Sequence, residues 1–137
     1  MKYALYHNLQ PADRIVHALF DTGLSKHHAI FLGEDKWGQE WIAENNFHEG
    51  VRLTKAETFF RSQRKIQRIE RFAGSHIERK NAVQRAMQLA GKPYSLLTYN
   101  CEHYANEVQY GKSESKQVQT FLGLAAGIFI LSMFFSE

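Results

Sequence analysis

The chain has 137 residues, enough for one domain and a short extension. Apolar residues make up 44% and aromatic residues 13%, which fills a modest core, while a formal charge of +3 and a pI of about 9.0 favour an anionic surface without arguing for nucleic acid. A single cysteine excludes an internal disulfide and any multi-cysteine zinc site, and Met1 to Leu9 lacks the apolar core of a signal peptide.

In chain order, Pro11-Ala12-Asp13 reads as a turn before a strand around Arg14 to Ala18, and Asp21-Thr22-Gly23 reads as a loop. His27 and His28 lead into Ala29 to Leu32, an apolar run of strand length closed by Gly33. Glu34 to Gly38 is a polar hairpin connection, and Glu40 to Glu44 returns as a second strand ended by Asn45-Asn46. Val51 to Leu53 is a short extended piece. Thr54-Lys55-Ala56-Glu57 has the pattern of a capping box and predicts a short helix through Phe60. Arg61 to Phe72 is ambiguous. Ile66, Ile69 and Phe72 recur at helical spacing, but β-branching favours a strand over Lys65 to Phe72. The basic run Arg61, Arg64, Lys65, Arg68 and Arg71 reads as a solvated face or a contact for phospholipid headgroups.

Ser75-His76-Ile77-Glu78 is a second capping box. It opens a helix through Ala82, Val83, Ala86, Met87 and Ala90, ended by Gly91 and Pro93. Asn100 is a good N-cap for a further helix that starts at Cys101, carries the acid Glu102 in its first turn and stops at Gly111. A thiol at a helix N-terminus sits in positive potential, which stabilises a thiolate; the bland alternative is a small buried hydrophobe. His103 follows Cys101 by two residues, faces away from the sulfur on a helix and reads as structural. Residues 112–120 are polar and form a linker. Phe121 to Phe135 is uncharged with only Ser132 polar. A bilayer span needs about 20 apolar residues, so this run is expected to be a short membrane anchor, the other possibility being a buried core helix.

Two blocks together resemble the lecithin–retinol acyltransferase-like proteins. His27-His28-Ala29-Ile30-Phe31-Leu32-Gly33 is similar to the family's histidine block, and Asn100-Cys101-Glu102-His103-Tyr104 to its Asn-Cys-Glu-His-Phe block. Asn106 to Gly111 and the linker-plus-apolar tail resemble the small phospholipase A/acyltransferase branch. The resemblance implies an α+β fold, a small antiparallel sheet packed on helices in a circularly permuted papain-like (NlpC/P60-type) arrangement, with a catalytic domain over 1–111. It implies Cys101 as nucleophile and His27 as base. The family's second histidine is missing. Glu44 lies nearest that position with Asn45 beside it; either can hold the imidazole tautomer, and alternation along a strand allows only one to do so. His48 is a third option.

The expectation is therefore a membrane-anchored cysteine acyltransferase or phospholipase A acting on glycerophospholipid esters, with no cofactor and no metal, and with the domain on the cytosolic side because Lys112 and Lys116 flank the apolar run on the domain side. A thiol peptidase or amidase on the same scaffold, and a membrane-tethered interaction module without chemistry, are the competing readings.

Overall fold

The computed structural model describes residues 2–19, 25–62 and 65–135. The loop expected at Asp21-Thr22-Gly23, together with Arg64 and Glu137, lies outside those residues. Short apolar runs form β1 (Arg14–Ala18), β2 (Lys26–Glu34), β3 (Glu40–Asn46), β4 (Gly50–Lys55) and β5 (Ile66–Glu70). They make one antiparallel sheet in the order β4-β3-β2-β1-β5. The segment that could have been helix or strand is the edge strand β5. The described residues also form five helices: α1 (Tyr3–His7), α2 (Ala56–Ser62), α3 (His76–Gln88), α4 (Cys101–Tyr110) and α5 (Lys116–Phe135).

Alternation along the strands gives the sheet two apolar faces. Ile15, Ala29, Phe31 and Ile42 point to one side, where Leu9, Ala56 and Phe59 complete a core beneath α2. Ile30, Ala43 and Val51 point to the other, against Ala82 and Ala86 of α3 and Tyr104, Ala105 and Val108 of α4. The turn before β1 is held by Asp13, which is fully buried. Its Oδ1 accepts from the Phe72 N–H and Arg79, and its Oδ2 from the Gln10 N–H and Arg71. Ala12 beside it takes a left-handed φ of 72°, which lets its N–H donate to the Phe31 carbonyl at 2.7 Å.

The edge strand β4 is tied to the segment that leads into α4. The Val51 N–H donates to the Lys92 carbonyl and the Gly91 N–H to the Val51 carbonyl. Gly50 has φ 73°, and a Cβ there would lie 2.5 Å from the Lys92 oxygen, so the close approach requires glycine.

The helix termini follow their local signals. Ser75 and Glu78 close a capping box at α3, which ends at Gln88, two residues before the expected Ala90. Helix α1 was not expected from its sequence. The Tyr3 and Ala4 N–H groups donate to both carboxylate oxygens of Glu40, so the cap comes from a strand far along the chain.

The tail departs from expectation. Helix α5 begins at Lys116, inside the stretch read as a linker, and its start is docked on α4. Glu102 accepts from the Lys116 N–H and from Gln117 Nε2, and the Asn100 amide donates to buried Ser115. Among the described residues, no helix is long and apolar enough to cross a membrane. This corrects the transmembrane helix expected at residues 121–135. The first turn of α5 is spent on Lys116, Gln117 and Gln119, and the uncharged run after it is shorter than the roughly 20 residues a span needs.

Candidate active site

Cys101 is the first residue of α4. The Asn100 side chain accepts from the Glu102 and His103 N–H groups, and His103 Nδ1 accepts the Asn100 N–H in return, which completes a capping box around the thiol-bearing turn. The imidazole of His103 is thereby spent on the cap. The N-terminus of α4 reaches the start of β2, where the Cys101 sulfur lies 3.6 Å from the Lys26 carbonyl oxygen. His27, the next residue, points to the face opposite α4, and its ring interacts with Cys101. Its Nε2–H donates to Glu44 Oε2 at 2.6 Å, which leaves Nδ1 for the sulfur.

Sheet register selects Glu44. Ala29 pairs with Glu44, so Glu44 shares a face with Ala29 and His27. Asn45 points the other way and donates to the Tyr99 carbonyl at 2.7 Å. His48 sits in the turn between β3 and β4, its ring edge-on to Phe47. The structure thus brings together Cys101, His27 and Glu44, and leaves Asn45 and His48 apart from them. Glu44 Oε1 also accepts from Arg52 Nε at 2.9 Å and Nη2 at 2.7 Å, so a guanidinium backs the carboxylate.

Charge and burial compete at this row. Burial is the largest single influence on His27 and would push its imidazole down. Interactions with Cys101 and Glu44 outweigh it and raise the group from 6.5 to about 9. Burial would likewise raise Glu44, but the hydrogen bonds and charges of His27 and Arg52 hold its carboxyl below the usual value. A second imidazole, His17, pairs across the strands with His27, with ring centroids 5.0 Å apart. Burial, and then the charge on His27, push it down to about 4, so it stays neutral beside its charged neighbour. Sequence reasoning gave His17 no special place. The available signal was its strand alternation, which puts it on the Ile15 face once the register with β2 is known.

A thiol, an imidazole and a carboxylate in hydrogen-bond sequence can pass a proton from sulfur to ring while the acid fixes the ring tautomer. A groove of about 250 Å³ opens beside the sulfur, walled by Leu19, Tyr94, Leu96, Leu97, Val118 and Phe121. This wall is apolar, while the row behind it is charged.

The family model described as lecithin retinol acyltransferase matches residues 7–114, a stretch that includes the whole row. The chain belongs to the lecithin retinol acyltransferase family. Among curated proteins it is 49% identical over 51 residues to phospholipase A and acyltransferase 2 of Homo sapiens, covering 34% of this chain and 32% of that protein. It is 40% identical over 55 residues to phospholipase A and acyltransferase 3 of Pongo abelii, covering 37% and 34%. The match thus spans about a third of the length of these relatives. Both similarities fall in the small phospholipase A/acyltransferase branch of the family.

Proposed function

We propose that the chain is a thiol-dependent acyltransferase or phospholipase A acting on glycerophospholipid esters. The observation that carries this is the Cys101–His27–Glu44 row at the mouth of an apolar groove; the family and the names of the two relatives support the choice of substrate. The acyl chain lies in the groove with its ester carbonyl at Cys101. The sulfur attacks that carbonyl carbon, and His27 holds the proton that leaves the thiol. The Cys101 N–H at the start of α4 is the donor for the carbonyl oxygen as it gains charge, the Glu102 and His103 N–H groups being taken by Asn100. Collapse breaks the C–O bond, and His27 returns its proton to the departing oxygen of the lysophospholipid, leaving an acyl thioester on Cys101. Water, an amine or a lipid hydroxyl then attacks the thioester, giving its proton back through His27 to restore the thiol. Glu44 holds the imidazole throughout. Asn45 is assigned a packing role through its bond to Tyr99.

His27 precedes Cys101 in the chain, the order of a circularly permuted papain-like fold, and this is the architecture the reading adopts. Phe121 of α5 borders the groove, and Leu122, Leu124 and Ile128 further along the helix are exposed. We assign them to contact with the lipid surface that supplies the substrate, an interfacial contact in place of a span. The deciding experiment is intact-protein mass spectrometry after mixing the purified chain with phosphatidylcholine vesicles. An added acyl mass that maps to Cys101 is the expected result. Acyl release with Cys101 unmodified, or no acyl product at all, overturns the reading.

A further inference from the structure

The row at His27 leaves unused a second cavity, of about 470 Å³, on the opposite face of the sheet. Arg14 of β1 and His28 of β2 line it, and each is only 4% exposed. Arg14 Nη2 donates to Asn106 Oδ1 at 2.5 Å. Its Nε lies 3.6 Å from Glu70 Oε2, too far for a hydrogen bond, and has no hydrogen-bond partner among the described residues. His28 Nδ1 is in the same condition. Buried polar atoms are almost always paired, so two unpaired ones in the wall of a single cavity mark it as a place where a polar occupant gains partners once Arg14 or His28 turns toward it.

The charge of the cavity says what kind. Lys26, Arg68, Lys112 and Lys116 join Arg14 around it, against the carboxylates Glu70, Glu102 and Glu114. Glu70 is already engaged by Arg68 at 2.7 Å, and Glu102 by the start of α5. Basic groups therefore remain in excess. Burial and then the Arg14 charge keep His28 neutral, so it can present a ring N–H without adding to the repulsion. A buried guanidinium with a free N–H, set among lysines, is the donor set of a phosphate site. Lys26 and Gln117 border both this basin and the groove at Cys101, so one molecule can occupy the two together.

We propose that the basin binds the phosphodiester of the phospholipid headgroup while the acyl ester lies at Cys101. This rests on the acyltransferase reading above and adds where the headgroup goes. The opposite sides of β2 then divide the work: the His27 side handles the ester and the His28 side holds the phosphate.

The test uses the unmodified protein and glycerophosphocholine, which carries the headgroup but no acyl ester, so binding is read without turnover. Parallel titrations use inorganic phosphate and glycerol, followed by calorimetry and by the imidazole NMR signals of His28. Glycerophosphocholine should bind and shift the His28 signals, and glycerol should not. Arg68→Gln and Lys112→Gln should each weaken binding, by up to about fivefold, the scale of one partly exposed charge contact. Arg14→Lys should weaken it more; if that variant does not fold, the two exposed positions still decide. Binding of inorganic phosphate without glycerophosphocholine overturns the proposal in favour of a free-phosphate site. No binding of either, or binding indifferent to Arg68 and Lys112, also overturns it. A Cys101 thioester formed without headgroup binding refutes this basin alone, whereas headgroup binding without any thioester refutes the acyl-transfer reading alone.

Discussion

Replacing Glu44 by Gln separates charge from shape at the centre of the row. Glu44 is 2% exposed and joins His27 at 2.6 Å on one oxygen and Arg52 at 2.7 and 2.9 Å on the other. Glutamine keeps the volume and can still accept from His27 through its carbonyl. Its amide would face the Arg52 guanidinium donor to donor, but Arg52 is 38% exposed and can turn to Glu49 and water. What is lost is the charge. A hydrogen bond to a charged group contributes about 1.5–3 kcal/mol against about 1 for a neutral pair, so the imidazolium loses roughly 1–2 kcal/mol. That corresponds to about a tenfold slower acyl step. The pH profile should move with it. The carboxylate favours the protonated ring together with Cys101, so its removal lowers His27 below about 9. In the proposed mechanism His27 must hold a proton to protonate the departing lysophospholipid oxygen. Wild-type activity should therefore persist to about pH 9 and then fall, and the variant should begin to decline roughly one pH unit lower, the size of the ~1–2 kcal/mol loss. The assay is lysophospholipid release from phosphatidylcholine vesicles across the neutral and alkaline range. An alkaline limb at the same pH in wild type and variant would refute the assignment of Glu44 to His27. Glu44→Ala should be slower still, since the ring also loses its orientation.

Cys101→Ser and His27→Ala should fall to a similar floor of acyl transfer with unchanged circular dichroism, and the double variant should be no worse, because the two act as one unit. Asp13→Ala should lower unfolding free energy by about 3 kcal/mol in denaturant titrations, since Arg79 and the Phe72 N–H lose a buried partner. Burial opposes the Asp13 charge, but bonds from Phe72, Arg71, Gln10 and Arg79 win and lower its carboxyl; its stabilisation is thus present above pH 3.8 and lost as pH falls through the lowered value, a slope that urea midpoints measured in acid should flatten in the variant. Ala12→Gly should raise thermal stability, because left-handed strain of about 1–2 kcal/mol exceeds the entropy cost of a glycine, about 0.5–1; a fall would show that the buried methyl matters more. Truncation after Gln117 should leave a folded chain, as followed by circular dichroism, that no longer floats with lipid vesicles; unfolding would make α5 part of the core.

What was legible in the sequence was what local chemistry controls. Asn100 and Ser75 mark helix starts because the cap and its partners lie within three residues. Ala29 to Leu32 and Glu40 to Glu44 read as strands from composition and flanking turns. Non-local contacts were hidden. Helix α1 takes its cap from Glu40, and α5 starts early because Glu102 supplies an acceptor for Lys116. At the candidate site, alternation alone said that Glu44 and Asn45 cannot face the same way. Which one faces His27 depends on the pairing of Ala29 with Glu44, a matter of inter-strand register. Arg52 was invisible for the same reason, being opposite Glu44 on the neighbouring strand.

The hydrogen bonds between Val51 and residues 91 and 92 have a dynamic consequence. They fill positions on an edge strand that would otherwise be open to pairing with another chain. They also join the sheet margin to the segment that delivers Asn100 and Cys101, so the two should open as one cooperative unit when the protein fluctuates. Amide exchange at Val51 and Gly91 would then report how often the thiol's surroundings come apart. A ligand gripping the outer side of β4 could slow or hasten that opening without touching the groove, giving a handle on turnover from the far margin of the molecule.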